Sequence, residues 1–256
     1  MEKTMIAEAL LYAATLPLTA KDHRRHIRSC VNLWSRAGRC RAAWAEHEEN
    51  SRAAIRTAIA GLRQRRTAVV LGSGLLRDVP VGEMARAFDT VVLVDLVHLA
   101  TVRLRMKGKA YRNIRLIERD LSGYHALLAG QTPEPLAFLR SVPYLDFVVS
   151  ANLLSQIGIG AERRREAEPP GRMPEDGIAR LIGAHLDGLA AAPCPTCLVT
   201  DISYAVIDRT GRTREEADLL HGISPPAAPA EWSWPVAPLG EESRDYQIRH
   251  KVIAAY

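Results

Sequence analysis

The chain has 256 residues, of which 47% are hydrophobic and 25% charged, and a formal net charge of +5. That length suits one large α/β domain, or a domain with a helical appendage, and that composition lies far from the disordered regime. Nothing in it suggests a solenoid or a coiled coil. From Thr4 to about Gln64, alanine, leucine, arginine and glutamate dominate, and Pro17 and Gly38 divide the stretch into about three helices. The third, Arg39 to Arg63, sets Trp44, Ala45, Ile55, Ile59 and Leu62 at spacings that suit a packed face. The apolar run Ile6 to Ala20 is interrupted by Glu8 and follows Met1-Glu2 instead of a basic stretch, so it reads neither as a signal peptide nor as a membrane span. The expectation is a cytoplasmic protein with no membrane partner, its Cys30, Cys40, Cys194 and Cys197 reduced and unpaired.

At Arg66 the texture changes to short apolar runs alternating with amphipathic stretches, the pattern of βαβ units around a parallel sheet. Strands are expected at Ala68 to Leu71, Val91 to Val94, Ile114 to Ile117, Phe147 to Ser150 and Cys197 to Asp201. Helices are expected at Val81 to Phe88, Val97 to Lys107, Tyr124 to Arg140 with a break at Pro133 and Pro135, and Glu175 to Ala191. Glu162 to Met173 and the proline-dense Gly222 to Pro238 read as loops. Tyr246 to Tyr256 reads as a strand, with Trp232 to Val236 as its antiparallel partner.

Three successive strand ends carry polar signals. The first runs into Gly72-Ser73-Gly74, where the backbone has to turn sharply and approach a ligand closely. The second ends at Asp95, about twenty residues on, where one carboxylate can accept from both hydroxyls of a ribose. The third ends Glu118-Arg119-Asp120. Helix caps and turns explain each singly, but not the set.

Leu71-Gly-Ser-Gly74, Val92-Leu-Val-Asp95, Glu118-Arg-Asp120 and Leu145 to Leu154 together resemble the successive motifs of class I S-adenosylmethionine-dependent methyltransferases, over roughly Arg66 to Tyr256. The resemblance implies a doubly wound, mostly parallel seven-stranded sheet whose last strand is antiparallel. It divides the chain into an all-helical N-terminal extension or lid, residues 1–64, and an S-adenosylmethionine-binding α/β domain, residues 65–256. Carried over, Gly72, Ser73 and Gly74 face the methionine part of the cofactor. Asp95, with Leu96 beside it, takes the ribose hydroxyls, Asp120 the adenine amino group, and Leu121 lies beside the ring. Ser150, Ala151 and Asn152 line the transfer site, and Asn152 with Gln156, one helical turn on, are the candidate catalytic pair; an Asn N-cap on the following helix explains Asn152 equally well. The chain departs from the family at Val70, where members commonly carry an acid, and at Leu76, where they carry a third glycine. Arg77 or Asp78 would then meet the charged amino-acid end of the cofactor. A nicotinamide dinucleotide site competes for the same turn and acid, but its third glycine would fall at Arg77.

The reading of function is methyl transfer to a small molecule or a protein side chain. A non-catalytic binding or scaffold protein of the same fold is the alternative, with an RNA methyltransferase behind it. Arginine clusters at Arg24, Arg25, Arg28, Arg36, Arg39 and Arg41, at Arg63, Arg65 and Arg66, and at Arg163 to Arg165 read first as solvated helix faces, with a polyanion such as RNA as the alternative, and those of the N-terminal extension would select an anionic acceptor if it covers the site. They lack the interleaved aromatics of a single-strand nucleic-acid platform. Cys194-Pro-Thr-Cys197 has zinc-pair spacing, but Cys30 and Cys40 do not complete a motif, so no metal is expected. His23, His26 and Cys30 share a helix face that reads as solvated or anion-binding.

Overall fold

The computed structural model describes residues 2–108, 111–167, 169 and 171–256. Eight α-helices and eight strands are described: α1 Glu2–Thr15, α2 Ile27–Arg39, α3 Arg41–Ala60, β1 Thr67–Leu71, α4 Val81–Ala87, β2 Thr90–Asp95, α5 Ala100–Met106, β3 Ile114–Glu118, α6 Tyr124–Leu128, β4 Leu145–Ala151, α7 Leu154–Ala167, α8 Gly177–Ala190, β5 Thr196–Asp208, β6 Thr213–Asp218, β7 Ala230–Ala237 and β8 Tyr246–Ala255. Tight 3-10 turns at Leu16–Leu18 and Lys21–His26 separate α1 from α2, the first holding Pro17.

The sheet runs β3-β2-β1-β4-β5-β8-β7. β1 to β5 are mutually parallel, whereas β8 is antiparallel to both β5 and β7. The seven expected strands form this path, and an eighth adds to it. β4 pairs only with the start of β5, Thr196 to Val199, and β6 pairs antiparallel with its far half, Ser203 to Ile207. From Asp201 to Asp208 β5 therefore projects beyond its pairing with β4 by about 25 Å, at roughly 3.3 Å per residue.

Alternation along β1 and β4 feeds two core layers, as a parallel sheet covered on both faces requires. Ala68, Val70, Phe147 and Val149 join the layer under α3, α4 and α5, while Val69, Leu71 and Val148 join the layer under α7 and α8. Burying each such valine or leucine contributes about 1.5–3 kcal/mol. α3 presents Trp44, His47, Glu48, Ser51, Ala54, Ile55 and Ile59 on one buried face and packs on β7, β5 and β4. Ile27, Val31, Ala54, Ile55 and Ile59 lie in the same core cluster as the strands, so the N-terminal helices share the core of the sheet.

Three local expectations change. Most of the charged stretch at Glu162, expected as loop, is the last turn and a half of α7, held in part by the Arg165–Glu162 pair at 3.0 Å; Glu168 and Pro170 fall outside the described residues. The proline-dense segment contains β7, eight residues long, with Pro235 at a register irregularity where no ladder N–H is needed. The helix after β3 is a single short α6, followed by a 3-10 turn at Ala137–Ser141.

Candidate cofactor and transfer site

The turn after β1 is built on two left-handed glycines, Gly72 at φ 72° and Gly74 at φ 47°, and Gly72 N donates to Val94 O on β2 at 2.9 Å. They serve different ends. A Cβ on Gly72 would sit 2.8 Å from Leu153 Cβ and 3.0 Å from Ala151 O, so this glycine lets the β4 loop close against the turn. A Cβ on Gly74 would meet nothing nearer than Gly72 O at 3.8 Å, so Gly74 faces open space. Ser73 between them is fully buried, and its Oγ has no partner among the described residues. Leu76 takes the left-handed conformation at φ 57°, which costs a residue with a Cβ about 1–2 kcal/mol, and its side chain is buried in the core.

Asp95 closes this turn. Its Oδ2 accepts from Gly74 N and its Oδ1 from Leu96 N, both at 2.7 Å. Burial raises its carboxyl above the usual range, against those hydrogen bonds and the neighbouring His98. His98 is fully buried, with Nε2 3.2 Å from Ile117 O. A backbone N–H of Val97 also bonds this carboxyl, so of about four lone-pair directions one remains for a ligand hydroxyl.

Asp120 accepts from Ser122 N at 2.8 Å and Ser122 Oγ at 2.6 Å, with Arg164 of α7 at 3.9 Å. Burial would raise this carboxyl, but Ser122 and Arg164 outweigh it and hold it low. Leu121 is 3% exposed and packs in the core layer beneath α7 and α8. Ser150, fully buried, is bonded to His185 of α8 at 2.9 Å, and Ala151 is 3% exposed. These side chains are enclosed by protein on the core side of the rim.

Asn152 stands at the rim with φ 48°. Its side-chain amide does not cap α7; it reaches Asp78 Oδ2 at 2.6 Å and His47 Nε2 on α3 at 3.3 Å. Gln156 is exposed on α7 and makes no hydrogen bond among the described residues, so the structure does not bring the expected pair together. Arg77 and Asp78 are likewise committed inside the chain, Arg77 to Glu48 at 2.5 Å and Asp78 to Asn152.

The N-terminal segment crosses the carboxyl ends of β2 and β3. Thr15 Oγ accepts from Ala100 N at 3.1 Å, and Ala20 N donates to Glu118 Oε2 at 2.8 Å. Burial pushes the Cys30 thiol up to about 12, reinforced by the charge of Asp95 close by. Burial, with Arg164 and Arg25, brings His26 down to about 4 against the pull of Asp120. The face of His23, His26 and Cys30 therefore looks inward at the acidic strand ends, correcting its reading as a solvated face. The four cysteines are free, with Cys40 against Trp44 and Cys197 in the core. Among the described residues no group of three or more His, Cys, Asp or Glu side chains is arranged to hold a metal.

A second set of residues flanks Asn152. His47 Nδ1 accepts from Trp232 Nε1 at 3.1 Å, and its ring stacks on Trp234 at 3.9 Å and 7°. On β5, Asp201 takes Ser155 Oγ on one oxygen and His250 Nδ1 on the other, both at 2.5 Å. Burial would raise the Asp201 carboxyl, but His250 and Ser155 outweigh it and lower it. The alternation of Trp232 and Trp234 across Ser233 was the available signal that both share one strand face.

Five parallel strands in the order 3-2-1-4-5, extended by an antiparallel strand inserted beside β5, make a doubly wound sheet with its ligand edge at the β1–β4 switch point. This is the sheet of the class I methyltransferases. No protein-family model and no curated protein matches the chain. Among solved structures, the chain is similar to N-methyltransferase NodS from Bradyrhizobium japonicum WM9 in complex with S-adenosyl-L-homocysteine, at 13% identity and TM-score 0.39, over 80% of this chain and 86% of that one. It is also similar to a SAM dependent methyltransferase from Aquifex aeolicus, at 9% identity and TM-score 0.35, over 79% of this chain and 89% of that one. The glycopeptide N-methyltransferase MtfA complexed with S-adenosyl-L-methionine follows at 13% identity and TM-score 0.37, over 79% of this chain and 76% of that one. The fold assignment stands on the strand order itself. No described helix is long and apolar enough to cross a membrane.

Proposed function

We propose that the protein is an S-adenosylmethionine-dependent methyltransferase of the cytoplasm acting on a small molecule or a protein side chain. One observation carries this reading: the open-faced Gly74 turn is bonded directly to Asp95 at the end of the next strand, on the ligand edge of the sheet. The cofactor would supply an electrophilic methyl group on a sulfonium. Gly74 leaves room for its methionine part, the remaining lone-pair direction of Asp95 suits a ribose hydroxyl, and Asp120 suits the adenine amino group. The segment around Thr15 to Cys30 would shield this edge from water, and Asn152 would align the acceptor. Alignment and water exclusion are the main contributions a protein makes to such a transfer.

A non-catalytic binding role is the second reading, and a specific observation favours it. Both oxygens of Asp95 are already engaged by backbone N–H groups, while Arg77 and Asp78 are tied to Glu48 and Asn152. Calorimetric titration of the full chain with S-adenosylmethionine separates the two, because a scaffold takes up none.

A further inference from the structure

We propose that Asp78 is a neutral carboxylic acid in the folded protein, and that it fixes the Asn152 amide with its NH2 group facing the transfer site, so that the site's ligand is held there through an oxygen atom. The argument begins at His47. An indole N–H only donates, and that of Trp232 lies 3.1 Å from His47 Nδ1, so Nδ1 carries the lone pair. Burial holds the ring down at about 4, so it is neutral at pH 7 and its one proton sits on Nε2. That N–H faces the same terminal atom of Asn152, at 3.3 Å, that lies 2.6 Å from Asp78 Oδ2. An NH2 group there would set two donors against each other. The oxygen and nitrogen of a side-chain amide are told apart by their partners, and these partners require the oxygen.

With oxygen in that position, the contact with Asp78 joins two oxygens and needs a proton between them. A separation of 2.6 Å is ordinary for such an O–H···O bond. Desolvation acts on Asp78 in the same direction, raising its carboxyl. Of the charged groups around it, Glu48 on α3 also raises it and Arg52 on α3 lowers it. Arg77 is neutralised by Glu48, and Arg52 donates to the Arg77 carbonyl. Beyond His47 stand Asp201 on β5 and His250 on β8, bonded to each other.

The far end of the Asn152 amide is buried without a partner among the described residues, and in this orientation it is an NH2 with two unused donors. The indole N–H of Trp234, which stacks on the same imidazole, is also buried without an acceptor. Unmet buried donors are costly, so two of them around one ring suit a ligand that presents a carbonyl, carboxylate or phenolate oxygen. That this ligand is the methyl acceptor rests on the methyltransferase reading; the protonation pattern does not.

Asp78→Asn tests the network without cofactor or acceptor. The amide can donate to Asn152 as the acid does, but cannot ionise. Because the folded value is raised above the unfolded one, wild type should lose stability relative to Asp78→Asn as pH rises from 5 to 8, by up to tenfold in the unfolding constant per pH unit, the slope for one proton. A difference that stays flat or grows the other way overturns the proposal, as does an Asp78→Asn chain that cannot fold. In wild type, nitrogen NMR should show His47 as the neutral Nε2-protonated tautomer at pH 7; an Nδ1-protonated or charged ring overturns it. Titrating acetate, a minimal oxygen ligand, should shift the Asn152 amide and Trp234 indole proton signals, and methylammonium should not. The reverse preference, or indifference to both, sinks the oxygen assignment. None of these readouts requires S-adenosylmethionine, so they can succeed or fail separately from the methyltransferase reading.

Discussion

Replacing each glycine of the first turn by alanine separates its role in the fold from its role toward a ligand. In Gly72→Ala, holding a residue with a Cβ at φ 72° costs about 1–2 kcal/mol. The new Cβ must also find room 2.8 Å from Leu153 Cβ and 3.0 Å from a backbone oxygen, Ala151 O, which cannot swing aside as a side-chain tip can. Overpacking of that kind adds about 1–3 kcal/mol. The expected loss is therefore about 2–5 kcal/mol, much of the stability of an ordinary domain. Gly74→Ala has the left-handed backbone, at φ 47°, but a nearest neighbour at 3.8 Å, so only the first cost applies. Urea unfolding followed by tryptophan fluorescence measures both, provided the denaturant slope is unchanged between variants. Gly72→Ala should come out less stable than Gly74→Ala by about 1–3 kcal/mol, while Gly74→Ala should lose the greater share of cofactor affinity. Equal stability losses would refute the assignment of Gly72 to packing and Gly74 to the open face.

Two further perturbations test the surroundings of the site. Asp201→Asn should cost about 1.5–3 kcal/mol at neutral pH, the scale of hydrogen bonds to a charged group, here those with Ser155 Oγ and His250 Nδ1. Because the folded carboxyl lies below its unfolded value, the deficit should shrink as pH falls below about 4, where wild type loses the same contribution; a deficit independent of pH in acid unfolding would show that the charge plays no part. Thr15→Val strips the acceptor from a backbone N–H at Ala100 beside a fully buried side chain and should cost about 1–3 kcal/mol. A change below a few tenths of a kcal/mol in thermal unfolding would mean that α1 is not docked on α5 in solution.

The parallel sheet was legible because its strands are short, fully apolar and separated by helical periodicity, as at Ala68 to Leu71 and Phe147 to Ser150. The far half of β5 and all of β6 were not, since Thr213 to Asp218 reads Thr-Arg-Glu-Glu-Ala-Asp, and this polar strand exists only because β5 outruns β4 and offers an edge. Gly72, Gly74 and Asp95 could be found from order along the chain, because the βαβ topology fixes which strand ends are neighbours. Gln156 lies exposed on α7, for a helical turn of spacing says which residues share a face but not which face is turned to the sheet. His47 and Asp78 meet Asn152 from α3 and the first turn, and Trp232 of β7, 185 residues from His47, bonds the far side of that imidazole; local pattern holds no trace of this convergence. Val70 and Leu76 are both buried, so packing holds the turn at these two positions.

The central claim is that this edge of the sheet binds S-adenosylmethionine, and calorimetric titration of the full-length wild-type chain tests it directly. The account predicts saturable binding at one site, weakened in a folded Asp95→Ala variant by about 2 kcal/mol or more, the scale of lost charge-assisted hydrogen bonds. No binding heat from wild type at millimolar ligand, or an affinity untouched in Asp95→Ala, would contradict it.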